Sequence, residues 1–203
     1  MTSSNTLTKL EQFNEFFTIE YEFSVNVSLL EKDKTYDYQS FLNQMPTPFK
    51  MASDMATLDQ AALRPLQALS GVAGQLVDYL NHQAQKIDLL MGYILSQQVE
   101  EAHQYQGLTF GGGGITFSSD TKFDLEDYLE LKIFIQDDNC AVYCFGEIID
   151  IEQIDNTSVY KVIFHLIRDE DREILVRASL HKQSEQLKAL AKKRQQSSED
   201  ANQ

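Results

Sequence analysis

Apolar and polar residues alternate along the segment FTIEYEFSVNVSLL, residues 17–30. Every second residue from Phe17 to Leu29 is apolar, and each residue between two of them is polar. Because successive side chains of a strand point to opposite faces, this pattern predicts one long strand with a buried face and a solvent-facing one. The next segment, residues 32–49, is polar and aromatic, contains two prolines and predicts irregular structure.

A helical period follows in the segment that begins at Pro65. Apolar residues recur there at alternating steps of three and four, a heptad repeat that predicts a helix from Pro65 to Gln98. At about 1.5 Å per residue this helix is about 50 Å long, and a small domain has no interior of that length. We therefore expect the repeat to contact other copies of the chain. Its positions are Leu66, Leu69, Ala73, Leu76, Leu80, Gln83, Ile87, Leu90, Ile94 and Gln97.

The positions that flank this repeat are also mostly apolar, and they include Val72, Val77, Tyr79, Ala84, Met91 and Tyr93. Two-stranded coiled coils usually carry charged pairs at such positions, so the apolar stripe is too wide for a simple dimer. Either several helices assemble, with a tetramer favoured, or one flank packs on the chain's own body. A single helix that covers a sheet within a monomer is a further alternative. Gln83 and Gln97 would be polar layers that fix the register of an assembly.

Short apolar runs return after Gln104, and they cover residues 108–118, 127–135, 140–151 and 159–167. Their spacing of about 8–12 residues, with turn-forming residues between them, predicts a small antiparallel barrel. The chain becomes helical again at Asp169. The expected fold class is α+β and mainly β, with a long helix inserted between the first and second barrel strands and a helix at the C-terminus.

A chain of 203 residues has room for one domain with a large insertion. We expect that domain over residues 16–194, with a helical insertion over residues 54–99 in which Asp54 is the helix N-cap. We expect the terminal segments, residues 1–15 and 195–203, to be flexible.

The chain carries 17 basic and 31 acidic residues, a formal net charge of −14. The first 167 residues hold 9 of the basic and 24 of the acidic ones. Because nucleic acids and anionic membranes are bound largely through cationic patches, this charge argues against both as partners. No apolar run reaches the roughly 18 residues that a membrane-spanning helix needs, the first residues lack the apolar core of a secretory signal, and two cysteines make no disulfide framework. We expect a cytoplasmic protein without membrane insertion.

Residues typical of catalysis or metal binding are sparse. Cys140 and Cys144 lie four residues apart on a predicted strand, about 13 Å from each other, which is too far for a disulfide or a shared metal ion. The four histidines have no spacing typical of metal ligands, and no nucleophile–base signature, phosphate loop or dinucleotide fingerprint is present. The sequence predicts packed thiols, no metal site and a protein that is not an enzyme.

The order of these elements, together with the residues LTFGGGGITF at 108–117, resembles the PilZ domain family. Residues 127–135, the run Val162-Ile163-Phe164 and the segment 171–175 are similar to the later barrel strands and the start of the closing helix of that family. The inserted helix resembles an oligomeric branch in which heptad helices hold a tetramer together. The resemblance implies a bacterial regulator or adaptor of motility, biofilm or virulence that acts through an unidentified protein partner.

PilZ domains are bacterial receptors for cyclic di-GMP. The family binds it with an arginine pair, Arg-x-x-x-Arg, before the first strand and with Asp/Asn-x-Ser-x-x-Gly on a later one. Arginine suits this dianion because its planar group matches phosphate oxygens and the guanine edge. Here the first 63 residues contain no arginine, and Thr109, Gly111 and Gly114 stand at the motif positions, of which only Gly114 fits. The resemblance therefore implies a degenerate motif, and we expect no cofactor and weak or absent cyclic di-GMP binding.

Two features keep alternatives open. The glycines at 111–114 form either a tight bend where backbones approach closely, which we favour, or a phosphate cradle. Arg168 and Arg172 also have the four-residue spacing, with Arg177 further along, but acidic residues lie between them, which favours local ion pairs over a second anion site. A cyclic di-GMP receptor that uses such relocated arginines, or those of a neighbouring subunit, is the alternative function.

Overall fold

The structure, a computed structural model, describes residues 2–32, 34–55, 72–135, 140–154 and 157–200. Its strands are β1 (Thr18–Leu29), β2 (Gln104–Gly111), β3 (Gly114–Ser119), β4 (Tyr128–Ile135), β5 (Cys140–Ile154) and β6 (Thr157–Leu166). Its helices are α1 (Thr2–Glu15), α2 (Tyr38–Gln44), α3 (described over residues 47–55), α4 (Val72–Ser96) and α5 (Asp169–Asp200), with a 3₁₀ turn at Glu101–His103. The heptad positions Leu66 and Leu69 lie outside the described residues, as does the side chain of Ala73.

The strands form a closed antiparallel barrel in the order β1-β2-β3-β6-β5-β4, and β4 pairs with β1. Strand β1 pairs with β2 over its first nine residues, Thr18 to Asn26, and with β4 from Ser24 to Leu29. One long strand therefore joins the two ends of the sheet, and closure removes exposed strand edges. The predicted fold class is confirmed: a small antiparallel barrel, a long helix between β1 and β2, and a C-terminal helix.

The barrel interior is built from alternate residues of its strands. In β1 the alternation predicted from the sequence is present in part: Ile19, Phe23, Val25 and Val27 are buried and Glu20 is exposed. Asn26 is buried as well, and Leu29 at the end of the strand is exposed. Strand β4 repeats the pattern, with a buried set of Leu129, Leu131, Ile133 and Ile135. Removal of these side chains from water, at about 25 cal/mol per Å² of apolar surface, is the main favourable contribution to the stability of the barrel.

A second apolar cluster lies on the outer face of β4 and β5. Strand residues in this cluster are Phe134, Ala141, Tyr143 and Phe145, and the helices α2, α3 and α4 cover them with Phe41, Met45, Phe49, Met91 and Leu95. Strand β5 thus has the barrel interior on one side and helices on the other. Its residues 141–149 are buried at every position for this reason, unlike the alternating β1.

Residues 32–49 were predicted to be irregular, and this is wrong for helix α2 and the start of α3. Helix α2 begins after Asp37, whose carboxylate accepts the Ser40 backbone N–H at 2.7 Å while the Ser40 side chain pairs with the Asp37 backbone, a capping box. Phe41, Met45 and Phe49 follow at steps of four, and all three are buried. The helical insertion therefore begins by residue 47 instead of at Asp54. A proline in the first turn of α3 is compatible with a helix because its missing N–H is not needed there.

The two terminal segments that were expected to be flexible contain helix in the structure. Helix α1 covers Thr2–Glu15, and α5 continues through residues 195–200. Helix α1 packs through Leu10 and Phe13 against the outer face of β5 and β6. A stripe of so few apolar residues is too short to show a helical period, which is why the sequence did not indicate it.

Candidate functional site

The predicted run at residues 108–118 divides at Gly112 and Gly113 into β2 and β3, which form a hairpin. We refer to Gly111, Gly112, Gly113 and Gly114 as the glycine hairpin. Side chains are excluded there because other backbone lies too close. A Cβ atom at Gly111 would clash with the carbonyl oxygen of Phe17, and one at Gly114 with the carbonyl oxygen of Val162. This geometry agrees with the tight-bend interpretation of the glycine run.

Helix α1 and the residue that follows it cover the glycine hairpin. Phe13 is buried, its carbonyl oxygen would lie 2.7 Å from a Cβ atom at Gly113, and its ring lies against Gly114. The ring of Phe16 would lie 2.6 Å from a Cβ atom at Gly112. The chain's own aromatic side chains therefore fill the surface of the hairpin.

Two cations lie over these aromatic rings. The Lys161 ammonium is 5.8 Å from the ring centre of Phe13, and the Arg172 guanidinium is 5.3 Å from that of Phe16, distances at which cation–π attraction acts. Arg172 also donates a hydrogen bond to the carbonyl oxygen of Gly112. Arg172 thus links Phe16 and the glycine hairpin to α5, and Lys161 links α1 to β6.

An ion pair near the start of this contact anchors α1. Lys9 pairs with the carboxylate of Glu147, which is buried on β5. Burial lowers the pKa of Lys9, but the hydrogen bond and the charge of Glu147 outweigh burial, so the pKa is raised. The Lys9 ammonium therefore stays charged at neutral pH and holds α1 on the barrel.

Thr109 lies on β2, where its hydroxyl oxygen is 2.8 Å from that of Thr116 on β3. On the other side its backbone is paired with Glu20 of β1, which is exposed. The structure thus brings Thr109, Gly111 and Gly114 together along one hairpin. Of these three, only Thr109 has a polar side chain, and its hydroxyl is already in a cross-strand contact beside a carboxylate that repels anions.

The arginines on α5 have partners within the fold. Arg168 is buried and donates to both carboxylate oxygens of Asp171, at 2.7 and 2.9 Å. Burial raises the pKa of Asp171, and the Arg168 charge offsets only part of that effect. Arg172 contacts the glycine hairpin instead, and Arg177 is half-buried further along the helix. Arg168 thus forms a local ion pair, as the sequence favoured, whereas Arg172 donates a hydrogen bond to the carbonyl oxygen of Gly112.

Helix α4 presents most of its heptad repeat to solvent. Leu76 is 60% exposed and Leu90 is 66% exposed, and the flanking Tyr93 is 67% exposed. Gln83 is half-buried. We refer to the exposed stripe as the heptad face, which consists of Leu76, Tyr79, Leu80, Ile87, Leu90, Tyr93 and Ile94.

The other side of α4 packs on the chain's own body near the C-terminal end of the helix. Met91 and Leu95 are 7% and 6% exposed and belong to the cluster around Phe134 and Tyr143. Met91 is one of the apolar flanking positions, so one flank of the repeat does pack on the body. The heptad face itself stays uncovered in a single chain.

Other candidate chemistry is limited in the part of the chain that the structure describes. Cys144 is buried in the barrel, and burial raises its pKa well above the ordinary value, as for a packed thiol. The side chain of Cys140 lies outside the described part. No described group of three His, Cys, Asp or Glu side chains is placed to hold a metal ion. No described helix combines the length and the apolar composition that crossing a bilayer requires.

No protein-family model matches the sequence, and no curated protein is significantly similar to it. Among solved structures, the chain is similar to a pathogenic protein from Xanthomonas campestris, a tetrameric PilZ domain self-assembled via a helical bundle. The identity is 12%, the TM-score is 0.55, and the match covers 88% of this chain and 96% of that one. The PilZ domain of YcgR from Escherichia coli with c-di-GMP matches at 12% identity and a TM-score of 0.38, over 46% of this chain and 83% of that one. The motility inhibitor MotI of Bacillus subtilis matches at 14% identity and a TM-score of 0.38, over 40% and 42%.

The similarity to the Xanthomonas protein extends over nearly the whole of both chains. At 12% identity it concerns the fold, in which a closed barrel carries a long helix between β1 and β2 and a closing helix after β6. This is the arrangement that the resemblance of residues 108–117 predicted. The chain therefore has a PilZ-like fold.

Proposed function

We propose that this protein is a non-enzymatic regulator or adaptor in bacterial cyclic di-GMP signalling, and that it assembles into a tetramer through helix α4. The heptad face carries this proposal, because seven large apolar residues lie exposed along one side of a single helix. Single exposed apolar residues are ordinary, but a contiguous stripe of them marks an interface. The heptad face would pack against the same face of other copies.

The width of the stripe favours more than two helices. The barrel of each copy occupies the side of α4 that carries Met91 and Leu95, so the repeat and the flank with Tyr79 and Tyr93 are left for other chains. A two-stranded coiled coil covers mainly the repeat positions and would leave the tyrosine flank in water. The self-assembly of the Xanthomonas campestris PilZ domain into a tetramer via a helical bundle supports the same number here.

We further propose that cyclic di-GMP binding at the glycine hairpin is weak or absent. In the segment before β1, Phe13 and Phe16 cover the glycine hairpin, and residues 1–63 contain no arginine. Loss of two bidentate arginines removes roughly 2–6 kcal/mol of binding free energy, at about 1–3 kcal/mol each. The protein would then act by presenting its assembled surface to a protein partner.

Two measurements test this function. Sedimentation equilibrium at micromolar concentration should report four chains per particle, and isothermal titration of the same sample with cyclic di-GMP should show no binding in the micromolar range. A single-chain mass would contradict the assembly. A micromolar or tighter dissociation constant would contradict the degenerate site.

A cyclic di-GMP receptor with a relocated site is the second candidate, and Arg177 is the observation that favours it. Its Nη1 atom is buried and makes no hydrogen bond among the described residues. A phosphate oxygen brought by a ligand between subunits would supply the missing acceptor. This candidate predicts binding that Arg177→Ala weakens by about tenfold or more. Arg168→Ala is a poorer test, since it would leave Asp171 buried without its counter-charge.

A further inference from the structure

A cavity of about 510 Å³ lies between the loop that follows β1 and the loop that precedes β4. Residues 30–32, 34–36 and 125–128 line it, together with Phe145 of β5 and His165 of β6. We refer to it as the loop cavity. It shares no lining residue with the glycine hairpin or the heptad face, so its use is independent of the function proposed above.

The loop cavity contains a buried carboxylate whose counter-charge comes from an exposed lysine. The side chain of Asp127 is only 5% exposed. Its Oδ2 accepts the Asp124 backbone N–H at 2.8 Å, and its Oδ1 lies 2.7 Å from the Nζ atom of Lys32. The Lys32 side chain is 70% exposed, and it reaches Asp127 on a long flexible stem. A buried carboxylate needs a counter-charge, and here the exposed Lys32 ammonium supplies it.

The walls of the loop cavity are aromatic. The rings of Tyr36 and Phe145 meet edge to face with centres 5.4 Å apart, and those of Tyr128 and His165 do so at 5.1 Å. Aromatic rings beside a carboxylate attract cations, because the negative face of each ring adds to the carboxylate charge.

Charged residues at the rim do not reverse this preference. Glu31 and Glu126 line the cavity alongside Lys34, and Lys34 lies 3.8 Å from Glu31 with both side chains largely exposed. The surrounding body is strongly acidic, since residues 1–167 hold 24 acidic and 9 basic residues. A field of this sign steers basic partners towards the surface and repels acidic ones.

We propose that the loop cavity binds the arginine side chain of a basic protein segment, with its guanidinium on Asp127 in place of the Lys32 ammonium. A guanidinium donates two parallel hydrogen bonds to a carboxylate, and its plane stacks on aromatic rings, whereas an ammonium is a single point charge. Each oxygen of Asp127 has a second lone pair, so the bond from Asp124 is kept. Lys32 is the internal competitor that the incoming arginine displaces.

The proposal is tested with a blocked Gly-Arg-Gly peptide and its citrulline counterpart, which has nearly the same shape but no charge. Ligand-observed NMR titration of the full chain should give millimolar or tighter binding of the arginine peptide and at least tenfold weaker binding of the citrulline peptide. Equal binding of the two peptides, or no binding of either, would overturn the proposal.

Three variants locate the site. Asp127→Asn keeps an acceptor for the Asp124 N–H but removes the charge, and it should weaken arginine binding at least tenfold. Lys32→Ala should strengthen binding severalfold because the competitor is gone. Lys34→Ala, a matched rim substitution, should change binding by less than about twofold. Should Asp127→Asn fail to fold, the two exposed lysines still decide the matter: unchanged or weaker binding by Lys32→Ala would sink the idea.

Discussion

The glycine hairpin and the heptad face of α4 are the two surfaces on which the sequence indicates contacts with other molecules, and the fold completes only one of them. At the hairpin, Phe13 is 4% exposed, and with Phe16 it covers the glycines. On α4, Leu90 and Tyr93 are 66% and 67% exposed. Removal of apolar surface from water is the main driving force of folding and association. The first surface is therefore complete within one chain, and we propose that another copy covers the second.

A glycine run and a heptad repeat therefore carry different kinds of information. A glycine run indicates that other atoms approach the backbone closely. Here those atoms are the carbonyl oxygens of Phe17 and Val162. The run is therefore explained without a ligand. An apolar stripe indicates a surface that is favourably removed from water. The structure shows whether other residues of the same chain cover that surface. Variants of each surface can therefore test the contrast.

The largest effect is expected from charges placed on the heptad face. Leu76→Asp combined with Ile87→Asp would bury carboxylates in an apolar bundle, at a cost of several kcal/mol per interface. Sedimentation equilibrium should then report a single chain, while far-UV circular dichroism shows unchanged strand content. Gln85→Asp, on an exposed side of the same helix, is the control and should leave the assembly intact. An intact assembly in the double variant would mean that α4 is not the interface.

The next largest effect is expected from removal of the Phe13 ring, which covers the glycine hairpin. Phe13→Ala should reduce the free energy of unfolding by about 3–5 kcal/mol, because the ring is buried against the barrel and leaves a cavity. Phe17→Ala, at a residue that is 44% exposed, should cost less than about 1 kcal/mol. Urea unfolding at a fixed protein concentration measures both. Equal costs for the two variants would show that α1 does not cover the hairpin.

A matched pair of glycine substitutions should have effects of opposite sign. Gly114→Ala would place a methyl group against the carbonyl oxygen of Val162 and should destabilise by about 1–3 kcal/mol or more. Gly92→Ala, in α4 with nothing within 4 Å of its new Cβ atom, should stabilise by up to about 1 kcal/mol through helix propensity. Thermal unfolding followed by circular dichroism reports both shifts. A stabilising Gly114→Ala would remove the close-approach explanation of the run.

The smallest effect concerns Asp37, the cap of the helix that supports α4 through Phe41. The Ser40 N–H donates to Asp37 and lowers its pKa, so the contact stabilises the fold above the ordinary carboxyl pKa and is lost as pH falls through the lowered value. Asp37→Ala should lower the unfolding temperature by a few degrees at pH 7 and by less below about pH 4. The difference in unfolding temperature between Asp37→Asn and Asp37→Ala should change little with pH, because neither side chain titrates. A constant difference for Asp37→Ala across this range would rule out the charge as its cause.

Elements with a long regular pattern were predictable from the sequence. The alternation over residues 17–30 and the seven-residue repeat in α4 each extend over many positions, so their period identifies the element and the side chains that share a face. The absence of arginine from residues 1–63 was also evident from the sequence. Residue type alone decides whether a bidentate hydrogen-bond donor is present there.

Short elements were not predictable, because their stability comes from distant contacts. Helix α1 is explained by Phe13 against Gly113 and Ile149, residues about a hundred or more positions away. Helix α2 is explained by Phe41 against Tyr143 and Phe145, whose outward-facing side chains need a cover. Their local signals, an Asp37 cap and apolar steps of three or four, are weak until the surface that they cover is known.

The barrel strands, the apolar stripe of α4 and the absence of arginine from residues 1–63 could all be read from the sequence. Only the folded chain shows that Met91 faces the body while Leu90 faces solvent and that Phe13 and Phe16 cover the glycine hairpin. It also shows that Asp127 is buried beside a cavity with Lys32 as its partner. A local period in the sequence shows only which side chains lie on the same face of an element. Whether that face contacts the barrel, another segment or solvent depends on packing between segments that are far apart in the chain. The two packed segments together determine the burial and the charge environment of each residue.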